Sequence, residues 1–302
     1  SHAYGPALEK SVAIQRIREA YEAGYTFFDT AELYVGKFAD GSPAPNQEVV
    51  GEALCPIRDK VVIATKGGLY WDNGKTIPDA SRESIRMSVE NSLKRLGVDT
   101  IDLYYQHRQD KSKEPEEVAE IFAELIKEGK IRYWGISNAT EDYIRRADEV
   151  CRVTAVQLRY SMMARWTEDL FPMLEERHIG AVAYSPIANG FLSGKIQTAD
   201  QYDSETDFRS FMPQYQKEEI EKSRELLSMI ENMSTEKNAT PTQISLAWML
   251  CKKPYIVPIP GTTKTERILE NAKAADIILT QEEIKEIDTR LDQMDLKVFG
   301  GV

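Results

Sequence analysis

The chain has 302 residues, 42% apolar and 29% charged, with a mean hydropathy of −0.44. That is enough apolar matter for a sizeable core, and no apolar run nears the ~20 residues a membrane-spanning helix needs. A formal charge of −11 and a pI near 5.0 exclude non-specific attraction to nucleic acid or anionic lipid, both of which require a net basic face.

Taken in order, the chain alternates amphipathic segments with short β-branched or aromatic runs. A helical pattern over residues 8–24 closes on Gly24, and the first strand-like run, residues 26–29, ends at Asp29 with Tyr34 five residues beyond. Residues 61–66 form the second run, ending in Lys66. A helix follows, with Ile85, Val89, Leu93 and Leu96 on one face, Ser81 as N-cap and Gly97 as terminator. The third run, residues 101–107, ends in His107. Further strands are predicted at residues 131–137, 155–161, 181–187 and 256–260, with Gly129 and Gly180 closing the helical patterns before two of them. Capping boxes starting at Thr240 and Thr280 open two late helices, Pro241 suiting the first helical position. Residues 188–216 form the longest irregular stretch, long enough to imply a functional loop.

Strands that alternate with helices imply parallel βα units in one α/β domain over residues 1–302, since no linker or shift of composition interrupts them. Seven strands are one short of a closed (β/α)8 TIM barrel. Because the first helical pattern precedes the first strand, the missing first strand is expected upstream of Ser1, as open edges on both sides are rarely tolerated. Cys55, Cys151 and Cys251 contain no CxxC pair, so neither a disulfide framework nor a metal site is expected. With no hydrophobic secretory stretch in residues 1–6, a reducing, cytoplasmic setting is expected.

In a barrel of parallel strands the carboxyl ends converge on one mouth. Asp29, Tyr34, Lys66 and His107 all lie at or just after such ends, so residues distant in sequence are expected to share a site. Lys66 ends an otherwise apolar strand, where an unpaired ammonium is costly, and Asp29 is the natural partner. A tyrosine with a pKa near 10 is protonated at neutral pH and able to donate, given a neighbouring cation.

Several segments together carry a resemblance: Phe28-Asp29-Thr30-Ala31-Glu32-Leu33-Tyr34, Asn46-Gln47-Glu48, Thr65-Lys66, Asp102-Leu103-Tyr104-Tyr105-Gln106-His107-Arg108, Gly135-Ile136-Ser137-Asn138, Val156-Gln157, Ala183-Tyr184-Ser185-Pro186 and Ile259-Pro260-Gly261-Thr262. In this order the chain resembles the aldo-keto reductase superfamily, in its bacterial, fungal and plant branch. The resemblance implies reduction of aldehydes or ketones with NADP(H), with Tyr34 as proton donor, Lys66 and Asp29 tuning it and His107 polarising the carbonyl. It implies Ser137, Asn138 and Gln157 on the nicotinamide carboxamide and Tyr184 stacked on its ring. The segment Ser185, Pro186, Ile187 to Lys195, joined by Arg209, matches the loop over the pyrophosphate.

Gly261, Thr262, Thr263 and Lys264 follow a strand and open a helix carrying Arg267, a geometry that favours a phosphate and, with two cations, a 2′-phosphate. Glu270 and Asn271 match adenine-contacting positions of the family. Tyr4, Tyr70, Trp71 and Arg108 are candidate substrate contacts. The expected partner is a small-molecule carbonyl substrate, without nucleic acid or membrane, and the expected assembly a monomer or weak homodimer. Two alternatives remain open from the residues: a nicotinamide-binding regulatory subunit with little turnover, and an aldolase using Lys66 as a Schiff-base nucleophile.

Overall fold

The computed structural model describes residues 7–38, 40–73, 75–196, 198–205 and 207–300. Among them, seven strands form one parallel sheet: β1 (Phe27–Asp29), β4 (Val62–Gly67), β7 (Ile101–Gln106), β8 (Ile131–Ser137), β9 (Ala155–Arg159), β10 (Gly180–Tyr184) and β11 (Ile256–Pro258), side by side in that order. Each corresponds to a run read from the sequence. Helix α1 (Lys10–Glu22) precedes β1, α2 (Asn46–Leu54), α3 (Arg82–Leu96), α4 (Pro115–Lys127), α5 (Glu141–Val150) and α6 (Phe171–Glu176) separate successive strands, and α7 (Lys217–Lys222), α8 (Arg224–Glu236) and α9 (Pro241–Lys252) lie between β10 and β11. Helices α10 (Thr265–Ala272) and α11 (Gln281–Leu291) follow. This is the βα alternation of the (β/α)8 barrel class, with β1 and β11 at the sheet edges among the described residues.

Local chemistry accounts for the helix ends. The Ser81 hydroxyl accepts from the Ser84 N–H, and Gly97 takes a left-handed φ of 65°. Thr240 and Thr280 each form a complete capping box, with Gln243 and Glu283 respectively. Gly180 departs from its predicted role: it is the first residue of β10, and His178, at φ 51°, makes the left-handed turn after α6.

Two antiparallel hairpins were not foreseen. One pairs β2 (Val35–Lys37) with β3 (Pro43–Pro45), and the other pairs β5 (Leu69–Asp72) with β6 (Lys75–Pro78), directly after β4. The irregular stretch 188–216 contains short 3-10 turns, Ala188–Ser193, Ala199–Gln201, Phe208–Phe211 and Pro213–Tyr215, and it buries Phe191, Leu192, Met212 and Tyr215. It is a packed cover.

Strand alternation explains what faces inward. Ala64, Leu103, Tyr105, Ala155 and Val182, with Phe27 and Ile259, form a small apolar cluster separate from the larger helix-facing core. Stepping two residues toward the carboxyl end from members of this cluster gives Asp29, Lys66, His107, Gln157 and Tyr184. One face of one sheet therefore carries an apolar floor and, above it, the polar residues of the mouth.

Candidate active site

Lys66 is 1% exposed, and its ammonium donates to the Asp29 carboxylate and to the Thr30 carbonyl at 2.8 Å. The other Asp29 oxygen accepts from Gln157 Nε2 at 2.8 Å, so this carboxylate is held from two strands on opposite sides of the mouth. Lys66 Nζ lies 5.2 Å from the centre of the Tyr34 ring and 6.0 Å from that of Tyr105. Two aromatic rings thus flank the ammonium.

Tyr34 and His107 meet edge to face, their ring centres 6.0 Å apart. Burial pushes the Tyr34 phenol above its ordinary pKa; Lys66 pulls it down, Asp29 pushes it up and Arg108 pulls it down again. The net effect keeps the proton on the phenol at neutral pH. Burial, then the positive charges of Lys66 and Arg108, hold the His107 imidazole well below its ordinary pKa, so it is neutral. Its Nδ1 is buried with no hydrogen-bond partner among the described residues. The quartet named from the sequence thus offers a protonated phenol, a buried ammonium beside it and a neutral imidazole.

Beside the quartet, Asn138 Nδ2 donates to Ser137 Oγ at 3.0 Å and the Tyr184 hydroxyl donates to Asn138 Oδ1 at 3.0 Å. The Asn138 N–H donates to the Gln157 carbonyl at 3.0 Å, so Ser137, Asn138, Gln157 and Tyr184 are contiguous. Arg108, a candidate substrate contact, donates to the His107 carbonyl at 2.7 Å and to Ser137 Oγ at 3.3 Å, tying the backbone that carries the imidazole to Ser137.

Beyond β10, Ser185, Ala188 and Asn189 all have positive φ, with Gly190 and Gly194, giving a sharply folded loop in which Pro186 is buried, Ile187 half-buried and Lys195 exposed. Arg209 is bound by Asp207, Nε lying 2.9 Å and 3.1 Å from its two oxygens, and lies over the Tyr202 ring at 4.3 Å. Its guanidinium is thereby held in place within the loop.

After β11, Gly261, Thr263 and Lys264 are exposed, and Thr262 Oγ1 accepts from the Lys264 N–H at 3.2 Å. Arg267 is paired with Glu270, leaving Lys264 as the exposed cation of this turn. Asn271 is buried, and its Oδ1 has no hydrogen-bond partner among the described residues. Buried polar atoms at Asn271 and at His107 that find no partner among the described residues fit a ligand that reaches both α10 and the mouth, as an extended dinucleotide does.

Of the substrate candidates, Tyr70 and Trp71 are 49% and 59% exposed on β5, and Tyr4 lies outside the described residues. Two site residues escaped the sequence reading. Thr30 supplies a carbonyl to Lys66 and its hydroxyl donates to Asn46 Oδ1 at 2.7 Å. Arg159, at the end of β9 and 9% exposed, lies with its guanidinium carbon 4.9 Å from the centre of the Tyr184 ring. The signal for Arg159 was present, since it continues the inward series Ala155, Gln157.

The sequence matches the model of the Aldo/keto reductase family over residues 3–292. It is 38% identical over 291 residues to "Probable aldo-keto reductase 1" of Glycine max, covering 94% of this chain and 81% of that protein. Among solved structures, a glycerol dehydrogenase of Gluconobacter oxydans superposes with a TM-score of 0.84 at 28% identity, covering 96% of this chain and 88% of the other. An aldo/keto reductase of Klebsiella pneumoniae, solved with NADP and acetate, superposes with a TM-score of 0.70 at 26% identity, covering 95% and 89%. With the family model matched over nearly its whole length, and with strand-end residues of matching chemistry gathered at one mouth, the chain belongs to the aldo/keto reductase family.

Proposed function

We propose that this oxidoreductase is an NADP(H)-dependent reductase of aldehydes and ketones, in which Tyr34 gives the proton. One observation carries the reading: the Lys66 ammonium, buried and held by Asp29, sits against the Tyr34 ring, which meets the neutral His107. A bound nicotinamide supplies the hydride. The chain's own residues do the rest. Tyr34 holds a proton at its phenolic oxygen and gives it to the developing alkoxide, and Lys66 stabilises the phenolate left behind. Asp29 fixes the ammonium from one side while Gln157 fixes Asp29 from the other. His107, uncharged, can donate a hydrogen bond to the carbonyl oxygen without giving up a full proton.

The amides of Asn138 and Gln157 and the hydroxyl of Ser137 suit a carboxamide, and the half-buried Tyr184 ring suits a flat heterocycle. The preference for the 2′-phosphorylated cofactor rests on Lys264 standing exposed beside backbone N–H groups at the start of α10, and on the Klebsiella protein, which was solved with NADP. Loss of NADPH absorbance with a simple aromatic aldehyde tests the reaction. Tyr34→Phe is expected to lower kcat about 10²- to 10⁴-fold, the range of a positioned proton donor, with NADPH affinity retained. Near-normal turnover by that variant would remove Tyr34 from the role, and equal use of NADH would remove the 2′-phosphate contact.

A further inference from the structure

Arg159 is a buried cation that the proton-transfer scheme above does not use. Among the described residues no carboxylate lies within ion-pair distance of it. An arginine so placed needs other partners to offset its lost hydration. It has three, from three separate segments. Register pairing sets Arg159 opposite Tyr184, and the guanidinium carbon lies 4.9 Å from the centre of that ring. Nη1 donates to Asn189 Oδ1 at 3.4 Å, in the loop that follows β10. From the far end of the chain, Phe299 brings its ring to 5.4 Å from the guanidinium carbon.

The tail is seated closely. A Cβ on Gly300, whose φ is 80°, would fall 2.8 Å from Arg159 Nε, so a side chain there would push on the guanidinium. Val298 is buried, and the Phe299 N–H donates to Gln214 Oε1 at 2.9 Å. Gln214 Nε2 in turn donates to the Ala188 carbonyl at 3.3 Å, so the tail is fastened to both ends of the covering loop. Tail, loop and the Tyr184 ring meet at one guanidinium.

We propose that Arg159 is a positioning residue that clamps the segment 298–300 and the covering loop to Tyr184, and so sets how fast the dinucleotide leaves. This rests on the reading of Tyr184 as the nicotinamide platform. Arg159 need not touch any reacting atom. For the loop to lift, the Asn189 and Gln214 attachments must break with it, and without the guanidinium the Phe299 ring loses the cation that faces it.

Arg159→Met and Phe299→Ala are each expected to raise the dissociation constant and the release rate of NADPH about tenfold, as expected for loss of a sheltered cation–π contact. Because both break one clamp, the double variant should be little worse than either single. Arg159→Lys, which keeps the charge but not the planar fork, should lie between wild type and Arg159→Met. In ligand-free protein, both single variants should speed amide exchange at Phe299. If Arg159→Met does not fold, Phe299→Ala, at a residue 41% exposed, gives the same readings. Unchanged NADPH release in variants of a protein that binds NADPH would overturn the clamp, as would strictly multiplicative effects in the double variant. A wild-type protein that binds no NADPH would instead overturn the dinucleotide reading, and the release role with it.

Discussion

His107 shows how the site sets protonation through its surroundings. Burial comes first among the causes that hold its pKa well below 6.5, followed by the charges of Lys66 and Arg108. The native protein therefore keeps this imidazole neutral at pH values where the unfolded chain, with an ordinary histidine near 6.5, takes up a proton. A depressed folded pKa means that stability is complete above about pH 6.5 and is lost as pH falls from there toward the folded value. Each unit within that window costs up to about 1.4 kcal/mol. Replacing His107 by Gln removes this one titration, so the stability difference between wild type and His107→Gln should shrink or change sign as pH falls from 7 to 5. Denaturant unfolding at pH 7, 6 and 5 reads it directly. Parallel stability profiles would show that the imidazole takes its proton as readily folded as unfolded.

At the scale of elements, period-two alternation did most to build the site, and one glycine shows its tolerance. Gly135 of β8 stands opposite Tyr105 of β7 and Ala155 of β9. A Cβ there would come within 2.4 Å of the Ala155 carbonyl oxygen and 2.7 Å of the Tyr105 ring. Backbone cannot yield as a flexible side chain does, so Gly135→Ala must spread two strand pairings and push on the ring beneath Lys66. A loss of about 3 kcal/mol, the upper part of the overpacking range, is expected in urea unfolding, with a lower kcat from a displaced Lys66. A midpoint unchanged from wild type would mean that the strands separate easily.

The same alternation made much of this level legible in the sequence. All seven sheet strands could be named because each is an apolar run bounded by a helix terminator or a polar loop. The hairpins β2–β3 and β5–β6 could not: they are short, largely exposed, contain Pro43, Pro45 and Pro78, and are held by backbone pairing that leaves no apolar pattern. The closure of Asp207 on the Arg209 guanidinium, two residues away, left no sign in the sequence. Arg159 was passed over because an arginine in a strand reads as solvated, although the inward series Ala155, Gln157 pointed to it, and its ring partners Tyr184 and Phe299 are distant in sequence.

For the whole molecule, the question is what joins the C-terminal helices to the strands. Apolar contacts supply part, as Ile284, Ile287 and Leu291 of α11 are buried. A polar centre supplies the rest. Lys252, the last residue of α9, places its ammonium 2.5 Å from Glu168 Oε1 and 3.1 Å from Asp288 Oδ2, and 4.6 Å from the centre of the Trp248 ring. Trp248 Nε1 donates to Asp288 at 3.0 Å, the Tyr160 hydroxyl donates to Glu168 at 2.6 Å, and Arg165 joins Glu168 to Asp292. One ammonium thus links the segment after β9, the end of α9 and the middle of α11. Lys252→Met keeps much of the side-chain bulk but leaves two partly buried carboxylates facing each other. Breaking a fully buried pair costs several kcal/mol; with both carboxylates about one-quarter exposed, about 2 kcal/mol is expected at pH 7. The sign with pH separates charge from packing. Burial favours the protonated form of Glu168, but Arg165, Lys252 and Tyr160 outweigh it and hold its pKa below the ordinary value near 4.5. The stability from this centre is therefore present above about pH 4.5 and is lost as pH falls through the lower folded value. Wild type and Lys252→Met should converge as the pH drops below that value, measured by denaturant unfolding from pH 7 to pH 3. A gap of constant size across the range would show that Lys252 holds the C-terminal helices through the contacts of its methylene chain, with the ion pairs contributing little.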